Sequence, residues 1–257
     1  MTPPPWIELA VAVSRRQVPC EILRERGTDV CIARLPGPDG ASVIVKLWNR
    51  PDWRGALRRL TRSNPGAREW STLRRLRAAG VRVPAARAYL VLRGTGAAHT
   101  EALVVEDLGR CRDTTEELKA LIRAGDALAV RGFEDTMIEA TRRMIDAGLL
   151  DHDHRLPNFV TTPDGTPVRL DFELVHRVRF PRAHPHRLGI MLGTLVGSHA
   201  FAVQPDTART TDFARRLATA VRPPARALPV ARARVHAMLA RQERELGLKT
   251  QVELPWP

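Results

Sequence analysis

Between residues 18 and 48 apolar and polar positions alternate in three short runs: Val18 to Arg24, Val30 to Leu35 and Ser42 to Trp48. They are parted by Gly27-Thr28-Asp29 and by Pro36-Gly37-Pro38-Asp39-Gly40. Period-two alternation bounded by turn residues predicts an antiparallel meander. After residue 63 the period changes. Glu69, Leu73 and Leu76 fall at i, i+4 and i+7 with Trp70 alongside, Ser63-Asn64 and Pro65 mark a start, and Gly80 marks an end, so a helix is expected over AREWSTLRRLRAA. Two further strands, Ala88 to Arg93 and Ala102 to Glu106, follow across Gly94-Thr95-Gly96. Together these predict a five-stranded antiparallel sheet carrying one helix.

From residue 114 the helical period dominates. Glu116 to Ala124, Glu134 to Ala147, Pro185 to Phe201, Thr207 to Val221 and Val230 to Leu246 are expected as helices bounded by Pro or Gly. One stretch breaks the series, LLDHDHRLPNFVTTPDGTPVRLDFE over residues 149–173. Leu149-Leu150 reads as a short strand. Asn158-Phe159-Val160 and Val168-Arg169-Leu170 read as a hairpin around Thr162-Pro163-Asp164-Gly165, which leaves Asp171 at the strand end directed back towards Asn158. The expected fold class is α+β in two lobes: a sheet-rich part over residues 1–108 and a mainly helical part over 109–257.

Composition narrows the partners. The 257 residues are 44% hydrophobic, enough for a buried core, and 41 Lys+Arg against 28 Asp+Glu give a net charge of +13. That excess favours an anionic partner: nucleic acid, a phospholipid headgroup or a phosphorylated sugar. With 5% aromatics and a single tyrosine, basic residues are not interleaved with rings that could stack bases, so nucleic acid is not expected. Cys20, Cys31 and Cys111 are odd in number and lack CxxC spacing, which points to neither a disulfide framework nor a zinc knuckle, and to a reducing cytoplasm. The start MTPPPWIELAVAV lacks the basic opening and apolar run of a signal peptide. Gly189 to Asp206, the longest uncharged stretch, reads as a buried helix too interrupted to span a bilayer.

The candidate chemistry centres on Asp153, Asn158 and Asp171. In phosphoryl transfer one carboxylate orients the attacking hydroxyl, while an Asn oxygen and a second carboxylate hold Mg2+ against nucleotide phosphates. An ordinary acidic hairpin would also produce such a stretch. Lys46 lies inside the apolar run VIVKLW, where an ammonium is costly unless an anion meets it; it either pairs with Glu69, which shares the helix's apolar stripe, or snorkels off an edge strand. Glu69 could instead pair with a neighbouring arginine. Val104 to Gly109 ends a strand and could be a hinge whose Glu106 and Leu108 backbone groups bond an adenine ring. His152 and His154 flank Asp153 without a second cluster at zinc spacing.

Lys46, Glu69, Asp153, Asn158 and Asp171 stand in the order and near the spacing of protein kinases, and the resemblance covers nearly the whole chain. Within that superfamily VIVKLW, REWSTLRRLRAAGVRVP, DHDHRLPNFV and LDFE resemble the bacterial lipopolysaccharide kinases, the group that includes Kdo and core heptose kinases. The resemblance implies an ATP- and Mg2+-dependent enzyme that phosphorylates a sugar hydroxyl of an anionic glycolipid at the cytoplasmic face of the membrane. It implies Asp153 as catalytic base, Asn158 and Asp171 as metal ligands, and Lys46, Glu69, Gly27, Thr28, Glu106 and Leu108 as nucleotide-binding residues. Two departures stand out: the phosphate-covering loop keeps only Gly27, and Asp151 occupies the place of a histidine. No Ser, Thr or Tyr lies between Asp171 and Gly193 and no Ala-Pro-Glu follows, which argues against a phosphorylation-regulated protein kinase. Another small-molecule or protein acceptor, and a non-catalytic binding module, remain as alternatives.

Overall fold

The computed structural model describes residues 5–26, 29–49, 64–172, 174–247 and 252–256. The chain divides into two compact units, one from Met1–Arg77 and Pro84–Gly109, the other from Ala78–Val83 and Arg110–Pro257.

The first unit holds helix α1 (Pro5–Ser14), strands β1 (Glu21–Arg26), β2 (Val30–Pro36) and β3 (Ser42–Trp48), helix α2 (Pro65–Ala78), and strands β4 (Ala86–Val91) and β5 (Glu101–Glu106). The strands form one sheet in the order β1-β2-β3-β5-β4, every neighbour antiparallel. Alternation decides its two faces. Cys31, Ala33 and Leu35, Val43, Val45 and Leu47, and Ala102 and Val104 are buried together with Ala10 and Val13 of α1. That helix was not expected from the sequence; its apolar positions give no sharp stripe, and only the sheet face supplies its partner. On the opposite face Lys46 stands level with Ile32 and Leu103, and α2 covers that side. A side chain at Gly66 would meet Trp48 and Tyr89, so glycine there lets the first turn of α2 lie close on the strands. β1 is an exposed edge rich in charge, which discourages further pairing. It begins at Glu21 instead of Val18 because Pro19 has no amide hydrogen for a ladder.

The second unit is mainly helical: α3 (Thr114–Arg123), α4 (Ala127–Asp146), α5 (Pro185–Val203), α6 (Thr207–Val221) and α7 (Ala227–Leu246). α4 starts earlier than the expected Glu134. Asp126 accepts the Ala129 amide at 2.9 Å as its cap, and Gly132 lies inside the helix with open space around it. α7 likewise starts at Ala227, not Val230. α5 is buried along nearly its whole length. Gly189, Gly193 and Gly197 recur every four residues, and side chains there would collide with Ala227 O, with Ala231 O and with Met238 of α7. The two backbones therefore touch, and Ala227, Ala231 and Val235 fill the facing stripe of α7.

Two small sheets complete this unit. β7 (Leu149–Asp151) pairs with β10 (Val175–Arg177); β8 (Phe159–Thr161) lies between β6 (Arg112–Asp113) and β9 (Pro167–Arg169). The β8–β9 hairpin matches expectation, whereas β6 and β10 are too short to carry a sequence pattern. Among the described residues no helix is long and apolar enough to cross a membrane.

Candidate active site

Lys46 is on a central strand of the sheet, not an edge. Its Nζ lies 2.6 Å from Glu69 Oε1, with the two side chains 17% and 3% exposed. The buried carboxylate on the apolar stripe of α2 therefore meets the buried ammonium, and Lys46 does not snorkel off an edge strand. At the end of β5 the Glu106 amide donates to Ala85 O at 2.9 Å and its carboxylate accepts the Ala85 amide at 3.0 Å. The amide is thus committed within the unit, and only the Glu106 carbonyl could serve a base. Asp107, next along, accepts from Ser42 Oγ and pairs with Arg34, while Gly109 N–H is held by Asp107 Oδ1. These bonds fix the segment that carries Leu108. Gly27 and Thr28 lie outside the described residues.

In the helical unit the loop after β7 is tied down at almost every residue. A short 3-10 turn over Leu156–Asn158, with Pro157 inside it, brings Asn158 back to Asp153. Asn158 Nδ2 donates to Asp153 O at 2.7 Å and to Asp153 Oδ2 at 2.8 Å. Both partners are acceptors only, so the amide orientation is fixed by chemistry and Oδ1 is turned elsewhere. Asp153 Oδ1 pairs with Arg155 Nε at 2.9 Å, a half-exposed contact. The hairpin returns to the same point, where Leu170 N–H donates to Asn158 O at 2.8 Å. Asp171 follows with φ of +57°, a left-handed backbone that non-glycine residues adopt at a cost and that Asp tolerates better than most.

The residue that holds this loop together was not singled out in the sequence. Arg169 on β9 is fully buried. Its Nη2 meets Asp151 Oδ2 at 2.5 Å and Asp153 O at 3.3 Å, and its Nη1 donates to Asn158 O at 2.9 Å. The guanidinium also lies over the rings of Phe159 and Phe172, 5.8 Å and 5.3 Å from their centres. Asp151, 1% exposed, uses its other oxygen to accept the Asp153 amide at 3.0 Å. The unusual Asp151 is thus half of a buried ion pair with Arg169. The signal was present as two oddities, a carboxylate and an arginine in otherwise apolar short strands, but only the fold pairs them.

The histidines divide. His154 is fully buried, its Nε2 2.8 Å from Thr141 Oγ1 and its ring edge-on to Phe159. Burial, then the Arg169 charge, hold it far below the ordinary imidazole pKa. His152 is half-buried and lies 4.8 Å from His176 between ring centres. Among the described residues no group of three or more His, Cys, Asp or Glu is gathered for a metal.

No family model matches the chain, and no curated protein matches it. Among solved structures the chain is similar to "WaaP in complex with acyl carrier protein", with a TM-score of 0.60 over 93% of this chain and 92% of that one, at 19% sequence identity. Likeness at that identity carries architecture alone. The fold is protein-kinase-like: an antiparallel sheet unit bearing one lysine-facing helix, followed by a helical unit. Because 1337 chains of solved structure match, the shared fold does not choose an acceptor.

Proposed function

We propose that this chain is a phosphotransferase that uses ATP and Mg2+ to phosphorylate an alcohol group, and that the acceptor is a sugar hydroxyl of lipopolysaccharide core or a related glycolipid. The observation that carries the reading is the Asp153–Asn158 arrangement. Both hydrogens of the Asn158 amide are spent on Asp153, so one contact set orients the carboxylate and presents Oδ1 as a hard oxygen donor. Asp171 supplies a carboxylate immediately after the strand anchored to Asn158. An amide oxygen and a carboxylate suit Mg2+, which keeps waters and takes phosphate oxygens for its remaining positions. When bound, the ion neutralises charge on the transferring phosphoryl group.

In this reading Asp153 accepts the proton of the attacking hydroxyl. Its Oδ2 is held by Asn158, and Oδ1, paired among the described residues only with a half-exposed Arg155, is the oxygen available to the acceptor. Arg155 then supplies positive charge beside the reacting oxygens. Lys46, held by Glu69, binds nucleotide phosphates together with Gly27 and Thr28, and the carbonyl of Glu106 and the backbone of Leu108 bind the adenine. The excess positive charge suits an anionic glycolipid presented at the cytoplasmic face of a membrane. The acyl carrier protein seen with WaaP makes such a protein a partner to test for this chain.

The first test is a thermal-shift titration with ATP and Mg2+. Stabilisation that needs both, and that Lys46→Met and Asp171→Asn each weaken, is expected. No stabilisation at millimolar nucleotide would make the chain a binding module without this chemistry.

A further inference from the structure

Between the Asp153 loop and α5 the chain runs through Leu174 to Phe180, LVHRVRF, a stretch with two arginines and no acid, preceded in sequence by Glu173. Its backbone is held in place. Val178 N–H donates to Gly148 O at 2.9 Å, and a 3-10 turn over Pro181–Ala183 closes with Ala183 N–H on Phe180 O at 3.0 Å. Arg182, inside that turn, donates to Val221 O at 2.9 Å and meets Asp146 Oδ1 at 3.2 Å. On this fixed frame two large apolar side chains are left in water: Leu174 is 54% exposed and Phe180 62%, while Val175 is buried. Arg177 and Arg179 are exposed with them, and the Arg179 guanidinium lies over the Phe180 ring, 5.2 Å from its centre.

Single exposed apolar side chains are ordinary; two on one rigid run are a surface. Among the described residues the others of this size are Ile22 and Leu23, which share β1 with Glu21 and Glu25, and Val91 and Leu128, each apart from the rest in sequence. Of these runs only Leu174 to Phe180 combines two such side chains with arginines and no carboxylate. Its position matters as well. β10 lies antiparallel to β7, with Val175 opposite Asp151 and His176 opposite Leu150, and the rings of His176 and His152 are 4.8 Å apart. The exposed run therefore borders the strand that leads into the Asp153 loop. At the boundary of a bilayer, leucine and phenylalanine side chains enter the acyl region while guanidinium groups stay level with the phosphates. Anionic lipid meets both halves of this chemistry, the charge and the apolar area.

We propose that Leu174 and Phe180, flanked by Arg177 and Arg179, form a docking surface for a bilayer containing anionic phospholipid. The surface rests on the geometry of the helical unit for its existence, and on the phosphotransferase reading for its purpose. In that reading it sets the Asp153 loop against the membrane that presents the glycolipid, so the sugar hydroxyl is met at the bilayer surface and not drawn out of it.

The test is flotation of the full chain, without nucleotide and at physiological salt, on vesicles of phosphatidylcholine and on vesicles of phosphatidylcholine mixed equally with phosphatidylglycerol. Binding to the mixed vesicles and little to phosphatidylcholine alone is expected. A net charge of +13 would by itself draw the chain to an anionic surface, so the deciding variant leaves the charge unchanged. Leu174→Ser combined with Phe180→Ser should weaken binding by about tenfold or more, the scale of withdrawing two apolar side chains from an apolar phase. Leu128→Ser, which removes an exposed leucine from the start of α4, should bind as wild type does. Arg177→Gln combined with Arg179→Gln should also weaken binding by about tenfold or more. Phe180→Trp keeps an apolar side chain in place, and its added fluorescence should be quenched by brominated acyl chains; this reads the surface directly even if the serine pair unfolds. The proposal falls if wild type does not bind the mixed vesicles, if the serine pair binds as wild type does, or if the Phe180→Trp fluorescence is not quenched. It falls too if the serine pair dissociates a dimer, which would assign the face to a second copy of the chain. A parallel ATP–Mg2+ thermal shift separates the two readings. Nucleotide stabilisation with vesicle binding that ignores Leu174 and Phe180 overturns the surface alone. Vesicle binding that depends on them, without nucleotide stabilisation, overturns the phosphotransferase and leaves the surface standing.

Discussion

Replacing Asp151 by Asn tests the buried pair that organises the loop. The substitution keeps Oδ1 to accept the Asp153 amide but replaces Oδ2, which accepts from Arg169, by an amide NH2 that only donates, so the charge and the acceptor facing Arg169 are lost together. The guanidinium then stays fully buried with two carbonyl oxygens and no counter-ion. Removing one partner of a buried pair costs about 3–5 kcal/mol. At about 2–4 °C per kcal/mol for a unit of this size, the melting temperature should fall by roughly 6–20 °C. Arg169→Met combined with Asp151→Leu leaves no uncompensated charge. It recovers part of the loss but still forfeits the donors to Asn158 O and Asp153 O, at about 1–3 kcal/mol each. Thermal unfolding by circular dichroism on wild type, Asp151→Leu, Arg169→Met and the Asp151→Leu/Arg169→Met double variant gives the coupling, expected to be several kcal/mol and favourable. If Asp151→Asn lies within about 1 kcal/mol of wild type, the pair does not hold the loop and the account of Arg169 is wrong.

Gly193→Ala should force α7 away from α5, because the new methyl meets Ala231 O and Arg234 Cβ; a loss of about 1–3 kcal/mol is expected in denaturant titration. Asn158→Leu should lower phosphotransfer by about 10²-fold or more in a coupled turnover assay while the fold persists, since it frees Asp153 Oδ2 and removes an oxygen donor. His154 and His199 are both fully buried and held below the ordinary imidazole pKa, in each case by burial first. The unfolded chain takes up their protons below about pH 6.5 while the folded chain does not, so stability should fall as pH drops through that value, by up to about 1.4 kcal/mol per pH unit for each histidine. Denaturant midpoints across that window check this. Glu139, lowered to about 2 by hydrogen bonds from Arg142 and Arg143, titrates well below it.

How much was legible follows from which interactions are local. Alternation and turn residues are properties of short segments, so the strands β2, β3 and β5 and the β8–β9 hairpin could be read directly. Glu69 on an apolar stripe and Lys46 in an apolar strand each announced a missing partner, and the fold joins them. The helix α1 and the strands β6 and β10 depend on surfaces contributed by distant segments, and nothing in their own sequence declares them. Arg169 illustrates the limit best. An arginine in a short, otherwise apolar strand is an oddity in the sequence, but its burial and three loop contacts arise only when the hairpin folds back on residues 151–158. The stripe Gly189, Gly193, Gly197 was visible as small residues in an uncharged run, but its purpose, contact with the α7 backbone, required the neighbour.

The central claim, that Asp153 directs phosphoryl transfer from ATP, is tested most directly by transfer of labelled γ-phosphate. Wild-type protein and Asp153→Ala are each incubated with ATP, Mg2+ and separated envelope glycolipid, soluble metabolites and protein. The account predicts label in the glycolipid fraction with wild type and none above background with Asp153→Ala. Label that enters no fraction, or that enters the glycolipid equally with both proteins, would contradict it.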